Sequence, residues 1–339
     1  MKKGKQISSL EDEGYTSRGL NENEIGPWAQ FCADCFSYKS NPPPASYFER
    51  HYYNDPSRNA LFVRVMFYKG HIVSSVRIFV RHISIGTSAV KAGGIGEVCT
   101  LPEHRRRGLS SRLLHNAIQI MTEQKMKLSL LHAAPAFFPV YEKSGYSNVV
   151  SQWSTLTVHL SNGLNKDASS TRLAKFPEDT QQLQSIHQKY SEQRFLGCIV
   201  RNEAYWNEYL ARELEGSLYV LLQENRIVAW ISVRFRNEKY QIREFGVEGI
   251  STSMALSSLL QRAISNEDGH VELCVPTAVL DELQKEETSK DALSFVDWTS
   301  ARSDNDDGWM YRALGENEDR LHVSMTQTKP YLLWPADSF

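Results

Sequence analysis

The sequence has no apolar run near the roughly 20 residues that a membrane-crossing helix needs. Its start, Met1-Lys2-Lys3-Gly4-Lys5-Gln6, leads into polar residues rather than an apolar signal core, so neither a secretory leader nor a membrane partner is expected. An excess of one charge is missing too. The 38 Lys and Arg residues against 40 Asp and Glu leave a net charge of -2, which excludes wholesale attraction to nucleic acid or to an anionic membrane. Cysteine is scarce: five, an odd number widely spread, make no disulfide framework and are expected to be thiols. These absences predict a cytoplasmic protein, with the nucleus as the alternative, in which any basic recognition is local.

What the chain does have is enough apolar sequence for two cores. Its 339 residues exceed the usual size of one core, and 41% hydrophobic with 23% charged residues is ordinary for a globular protein. Residues 1–16 are polar and are expected to form a flexible N-terminal arm. From Glu24 to Phe36, the residues Ile25, Trp28, Phe31, Cys32, Cys35 and Phe36 recur at spacings of three and four, as in a buried helical stripe. Within it, Cys32-Ala33-Asp34-Cys35 has redox-motif spacing without a βαβ setting and reads as two packed thiols. Pro42-Pro43-Pro44 forbids helix, and a short amphipathic stretch, Ser46 to Tyr53, follows.

Two runs rich in Val, Ile and Phe, Ala60 to Phe67 and Ile72 to Val80, flank Tyr68-Lys69-Gly70-His71 and predict a β-hairpin. A third strand, Gly94 to Thr100, closes at Pro102. Leu109, Leu113, Leu114, Ala117, Ile118 and Met121 then mark one face of a helix, and Leu128 to Ala133 reads as a strand. The pattern recurs. Leu218 to Leu222 and Ile227 to Val233 form a second hairpin at Glu224-Asn225, before a strand Tyr240 to Val247, a helix Met254 to Ile264 and a strand Val271 to Pro276. The hairpin turns lie 155 positions apart, so two copies of one αβ unit are expected, over 17–160 and 173–339. His322 to Thr328 reads as a strand and Tyr331-Leu332-Leu333-Trp334 as part of a buried tail.

A strand that ends in a tight turn and opens a helix points several free N–H groups one way, at the positive end of the helix dipole. Arg106 to Ser111 would supply those amides, Gly108 would let a phosphate approach the main chain, and Arg105, Arg106 and Arg107 would add charge-assisted hydrogen bonds. A diphosphate suits such a turn. The alternative, a solvated basic helix start or a small nucleic-acid patch, has one short cluster behind it and an acidic chain around it. The second copy carries Gly246-Val247-Glu248-Gly249-Ile250-Ser251 at the matching place and is expected to keep the fold without the phosphate site.

Arg105-Arg106-Arg107-Gly108-Leu109-Ser110 resembles the Arg/Gln-x-x-Gly-x-Gly/Ala turn of the GNAT superfamily, with Ser110 as the last small residue. Phe138-Pro139-Val140-Tyr141-Glu142-Lys143-Ser144-Gly145-Tyr146 is similar to that family's Phe-Tyr-x-x-x-Gly-Phe/Tyr segment. The tandem units, Val140-Tyr141 and a final phenylalanine further resemble the enhanced intracellular survival (Eis) acetyltransferases, although the length leaves no room for their third, sterol-carrier-like domain. The resemblance implies an α/β (α+β) GNAT fold, a mixed central sheet flanked by helices, in two tandem copies: the first catalytic, the second degenerate, with the C-terminal tail near the active site. It implies acetyl-CoA as co-substrate, held by Val98, Cys99, Thr100, Arg105, Arg106, Arg107, Gly108, Leu109, Ser110 and Ser111, with no metal. The reaction implied is direct acetyl transfer to a primary amine.

The same resemblance makes Tyr141 the acid that protonates the departing CoA thiolate, a role open to a phenol beside the sulfur. For the base three alternatives stand: Glu97, beside Val98 on the strand; the α-carboxylate of Phe339, since the Eis family brings its terminus into the site; or water. The acceptor, a small-molecule amine or a protein or peptide lysine, is not specified. Trp28, Phe31, Phe36 and Tyr53 either line its pocket or pack in the core, and His115 and His132 either reach the cleft or do not. A longer-chain acyltransferase and a non-catalytic CoA-binding module share every one of these motifs.

Overall fold

In the computed structural model, residues 13–85, 88–160, 170–264, 269–287, 295–315, 325 and 329–337 are described. The first half supplies β1 (Tyr15–Gly19), α1 (Ile25–Cys35), α2 (Ala45–Tyr53), β2 (Val63–Tyr68), β3 (His71–Ile85), β4 (Ser88–Thr100), α3 (Leu109–Glu123), β5 (Leu128–His132), α4 (Phe138–Glu142) and β6 (Ser147–Asn148). The rest of the chain supplies β7 (Trp153–His159), β8 (Thr171–Leu173), α5 (Thr180–His187), α6 (Ala211–Glu213), β9 (Leu218–Gln223), β10 (Arg226–Arg236), β11 (Lys239–Val247), α7 (Thr252–Ala263), β12 (His270–Pro276), α8 (Thr277–Glu287), β13 (Val296–Ser303) and β14 (Trp309–Ala313). A π-helical segment, Tyr205–Leu210, precedes α6. No helix among the described residues is long and apolar enough to cross a membrane.

The strands form two seven-stranded sheets, ordered β1-β2-β3-β4-β5-β14-β6 and β13-β7-β12-β11-β10-β9-β8. Each is mixed, with a single parallel pair: β4 with β5, and β11 with β12. The expected fold of two tandem GNAT-like sheets flanked by helices is therefore the one the chain adopts. Its hairpins use the turns the sequence announced. Lys69 and Gly70, at φ +47 and +81, and Glu224 and Asn225, at φ +50 and +63, have both central residues left-handed, which matches the twist of the flanking strands.

One feature had no counterpart in the sequence reading. β7 lies within the expected first unit, 17–160, yet pairs with β12 and β13, and β14 returns from the second half to lie between β5 and β6. Each sheet thus holds a strand from the other's side of the chain. The far end of β3 tightens the junction: Ser84 donates its amide to the Cys198 carbonyl (2.8 Å), and the Gly197 and Val200 amides donate to Ser84 and His82 (3.0 and 2.8 Å).

Helices α1 and α2 cover one face of the first sheet, where Trp28, Phe31, Phe48 and Tyr52 pack on Val63 and Val65. Helix α3 covers the other, with Leu113, Leu114 and Ala117 against Val76, Ile78 and Ile95. It lies so close that a Cβ on Gly93 would fall 2.2 Å from the Met121 sulfur, so only glycine admits the contact.

The expected arm over residues 1–16 is corrected at its end. Tyr15 and Thr16 pair with Tyr68 and Phe67 in β1, and the buried Tyr15 ring places its hydroxyl 2.8 Å from His104 Nδ1. Residues 1–12 and, apart from Met325, the expected strand His322 to Thr328 lie outside the described residues. Tyr331, Leu332, Leu333 and Trp334 are buried, as the apolar tail predicted.

Candidate active site

β4 and β5 pair only from Ala92 opposite Leu128 to Ile95 opposite Leu131. Beyond that point β5 ends at His132 while β4 runs on to Thr100, so the two strands part and one edge of Gly96 to Thr100 has no strand partner among the described residues. On its other edge β4 pairs with β3, where Ser75 opposes Cys99 and Arg77 opposes Gly96. Val76 therefore faces two residues, Glu97 and Val98. This is a β-bulge, and it holds Glu97 at φ +47, a left-handed conformation unusual for a residue with a side chain.

The bulge sends the Glu97 carboxyl into a buried ionic network. Arg77 Nη1 donates to Glu97 Oε1 at 3.4 Å, and its Nη2 donates to the His51 carbonyl (3.2 Å) and to Asp55 (3.5 Å). Arg81 donates to both Asp55 oxygens at 3.0 Å. Glu97 Oε2 is buried and meets no partner. Burial pushes the carboxyl up from its ordinary value, against the pull of Arg77. An unpartnered carboxylate oxygen at the point where two strands part can take a proton from a neighbouring group.

The turn after β4 opens α3, whose first internal bond is Arg112 N–H to the Gly108 carbonyl at 3.0 Å. The amides of Leu109, Ser110 and Ser111 precede that bond and so have no partner within the helix. Gly108 is the N-cap at φ +77, with nothing within 4 Å of where a Cβ would stand, so no side chain caps this end and the approach to it is open. Of the arginines, Arg105 Nε donates back to the Thr100 carbonyl (3.0 Å) and Arg107 pairs with Glu13 (3.5 Å), both exposed to solvent.

The second unit answers the same problem differently. At α7, the Ser251 hydroxyl accepts from the Met254 amide at 3.2 Å, and the Glu286 carboxylate accepts from the amides of Thr252 and Ser253 at 2.8 Å each. A carboxylate of the chain itself occupies the anion position there. The matching stretch of β11 is occupied as well: Arg201 joins Glu244 on β11 (2.5 Å) to Asp337 of the tail (2.6 Å), all fully buried.

Against known families, residues 16–149 match the one described as Acetyltransferase (GNAT) domain. Among solved structures the chain is similar to a probable N-acyltransferase from Enterococcus faecalis, at 13% identity over 88% of this chain and 72% of that one, with a TM-score of 0.64. It is similar to a GCN5-related N-acetyltransferase from Anabaena variabilis at 17% identity, 88% and 72% coverage and a TM-score of 0.63. It is similar too to Eis1 from Mycobacterium abscessus, at 13% identity, 88% and 74% coverage and a TM-score of 0.58. Likeness at such identities shows the fold alone. No curated protein matches the sequence significantly.

Within the matched residues, Tyr141 sits on α4, just past the end of β5. Its ring is buried against Tyr146, with centroids 6.0 Å apart, whereas the Tyr146 hydroxyl is taken by Ser129 at 2.7 Å. Burial pushes the Tyr141 phenol up to about 12, so it stays protonated at neutral pH. The side chains of Cys99 and Leu109 face the core, that of Thr100 bonds the Ser74 hydroxyl (2.7 Å), and the same hydroxyl donates to the Cys99 carbonyl (3.0 Å). Cys99 meets Cys32 and Cys35, and burial pushes the Cys32 and Cys99 thiols up. His132 is held by Asp306 at 2.8 Å, and His115 is exposed on α3. Phe339 lies outside the described residues.

A cleft of about 350 Å³ opens between α2 and α6, lined by Tyr47, Arg50, His51, Tyr209, Arg212 and Glu213 among others. His51 stacks on Tyr47 (4.6 Å) and meets Tyr209 edge-on (5.8 Å). One guanidinium, that of Arg77, links the His51 main chain to Glu97. Of the aromatics that the sequence offered for a pocket, Trp28 and Phe31 belong to the core and Tyr53 is exposed outside the cleft lining. The residues that do line it were missed. Tyr47 and His51 lie on a short helix with an unremarkable pattern, and Tyr209 is some 160 positions further on.

Proposed function

We propose that the protein transfers the acetyl group of acetyl-CoA to a primary amine within a ternary complex. The observation that carries this reading is the contrast between two equivalent helix ends: α7 is closed by Glu286, whereas α3 is open, uncapped and preceded by an open strand edge. The CoA diphosphate fits the amides from Gly108 to Ser111, with Arg105, Arg106 and Arg107 supplying charge. The main chain of Val98, Cys99 and Thr100 suits the arm that follows. The first unit, 17–160, is then the catalytic one, and the second, 173–339, supports it.

Acetyl-CoA supplies an activated carbonyl. Glu97 takes a proton from the amine, the Val98 amide donates to the carbonyl oxygen as charge gathers there, and Tyr141 donates its proton to the sulfur. A nitrogen–carbon bond forms as the carbon–sulfur bond breaks, and Glu97 and Tyr141 reset through solvent. Holding both reactants at the parting of β4 and β5 supplies much of the acceleration.

The test is release of CoA thiol from acetyl-CoA across an amine library. Amine-dependent release should fall by roughly 100-fold in Tyr141→Phe and in Glu97→Gln, the usual size of a lost general acid or base. Acetyl-CoA binding without amine-dependent release would leave a CoA-binding module and end the transferase reading. A preference for longer acyl-CoAs would replace acetyl by a larger group.

A further inference from the structure

The charge around the cleft bears on which amine enters it. At its inner end the ions are matched, since Asp55 and Glu97 face Arg77 and Arg81. Further out they are not. Glu213 is already held by Arg243, whose Nη1 also donates to the Glu213 carbonyl at 3.2 Å. Arg234, half-buried on β10, spends two donors on a single neutral acceptor, Gln241 Oε1, at 3.0 and 2.8 Å. Burial, then repulsion from Arg236 and Arg243, pulls its guanidinium down to about 10, against the opposing pull of Glu213 and Tyr47. Arg50 and Arg212 line the cleft itself, and Arg50 Nε donates only to the Ser46 carbonyl (3.3 Å). Among the described residues, none of Arg50, Arg212 and Arg234 lies within ion-pair distance of a carboxylate; the acid left over in the lining is Glu215, at the exposed rim.

An entering molecule therefore meets aromatic walls in Tyr47 and Tyr209, a neutral inner end and surplus positive charge. A polycation would have to approach against the guanidiniums of Arg50 and Arg212, neither of which is ion-paired, whereas an anionic group would complete them. We propose that the acceptor is a small primary amine carrying its own carboxylate or phosphate, which Arg50 and Arg212 receive while its amino group is directed to Glu97. This rests on the transferase reading above, and the volume of the cleft limits it to a small molecule.

The experiment measures CoA release by the full chain with β-alanine, 2-aminoethyl phosphate, propylamine, 1,3-diaminopropane, spermidine and a lysine peptide. One or both anionic amines should show kcat/KM at least about tenfold above propylamine and the diamine, the scale of a charge-assisted bond, and the two separate carboxylate from phosphate. In Arg50→Gln and Arg212→Gln, with thermal midpoints confirming the fold, that preference should shrink through KM of the anionic amine rather than kcat. Equal or better turnover of the uncharged-tail or cationic amines, or a preference that survives both substitutions, overturns the proposal. Release with spermidine or the peptide but neither anionic amine overturns it while the transferase reading stands. Release with no amine, from protein that binds acetyl-CoA, overturns the transferase reading beneath it.

Discussion

Two glycines allow the diphosphate assignment to be tested against its own control. Gly108 before α3 and Gly249 before α7 have φ of +77 and +79, and a Cβ at either would meet nothing within 4 Å. Alanine at each position should therefore carry the same backbone strain, about 1 kcal/mol, with no steric clash added. In a chain of this length that lowers the thermal midpoint by about 2 °C or less in both variants. Their effects on the cofactor should part company. A Cβ on Gly108 stands in the open approach to the first amides of α3, where loss of one charge-assisted bond, about 1.5–3 kcal/mol, raises the Kd for acetyl-CoA by roughly 10- to 150-fold. At Gly249 the corresponding amides are already satisfied by Glu286, so the Kd should not move. Calorimetric titration of both proteins with acetyl-CoA decides the matter. Unchanged affinity in Gly108→Ala, or equal losses in the two variants, would refute the argument that the open helix end binds the diphosphate.

Three further outcomes follow from buried groups. Glu286→Ala removes the acceptor of two amides at the start of α7 and should cost about 1–2 kcal/mol in urea unfolding, with KM for acetyl-CoA unaltered; a raised KM would place the cofactor at the wrong helix. Arg201→Met leaves Glu244 and Asp337 buried without their cation and should destabilise by about 3–5 kcal/mol, part of which Glu244→Gln restores in the double variant; additive losses would show that the two residues do not share one network. His51 is held neutral by burial, then by Arg77 and Arg81, with its pKa brought from 6.5 down to about 4. Because the folded value lies below the unfolded one, the neutral ring favours the fold above pH 6.5, and that contribution, about 3 kcal/mol, is lost as pH falls through 4. His51→Gln should flatten the stability curve over that interval, and an unchanged slope would mean that His51 is not the titrating group.

Local features of this fold were legible because their causes are local. The stripe from Ile25 to Cys35, the face from Leu109 to Met121 and the Lys69-Gly70 and Glu224-Asn225 turns are each dictated by neighbours in sequence, and the turn at Gly108 is read from a run of six residues. The loss of arginines before α7 was visible as well. What replaced them was not, since Glu286 arrives from 34 positions beyond Thr252. The exchange of β7 and β14 was hidden for the same reason: neither strand was singled out in the sequence, and nothing within Trp153–His159 or Trp309–Ala313 names the sheet it joins. The bulge at Glu97 arises from a register shift against β3, a property of two strands together. Cys32 and Cys35 read correctly as packed thiols, but their meeting with Cys99 is a matter of helix on sheet.

The exchanged strands explain why a unit whose own helix end is closed still matters to the open one. Arg81, buried on β3, faces Asp55 on one side and the rings of Tyr205 and Tyr209 on the other, at 5.2 and 5.9 Å. Those tyrosines belong to the second half, and Tyr205 donates its hydroxyl to Asp337, the carboxylate that Arg201 ties to Glu244. From Glu97 through Arg77, Asp55 and Arg81, the ionic network of the first unit thus ends on residues of the second. Without that wall Arg81 would face water, Asp55 would be solvated with it, and Arg77 would lose the buried carboxylate that helps to fix it beside Glu97. The second copy has filled its own equivalent of the site with a carboxylate and a tail. By doing so it keeps rigid the surroundings of Glu97, whose Oε2 is left without a partner.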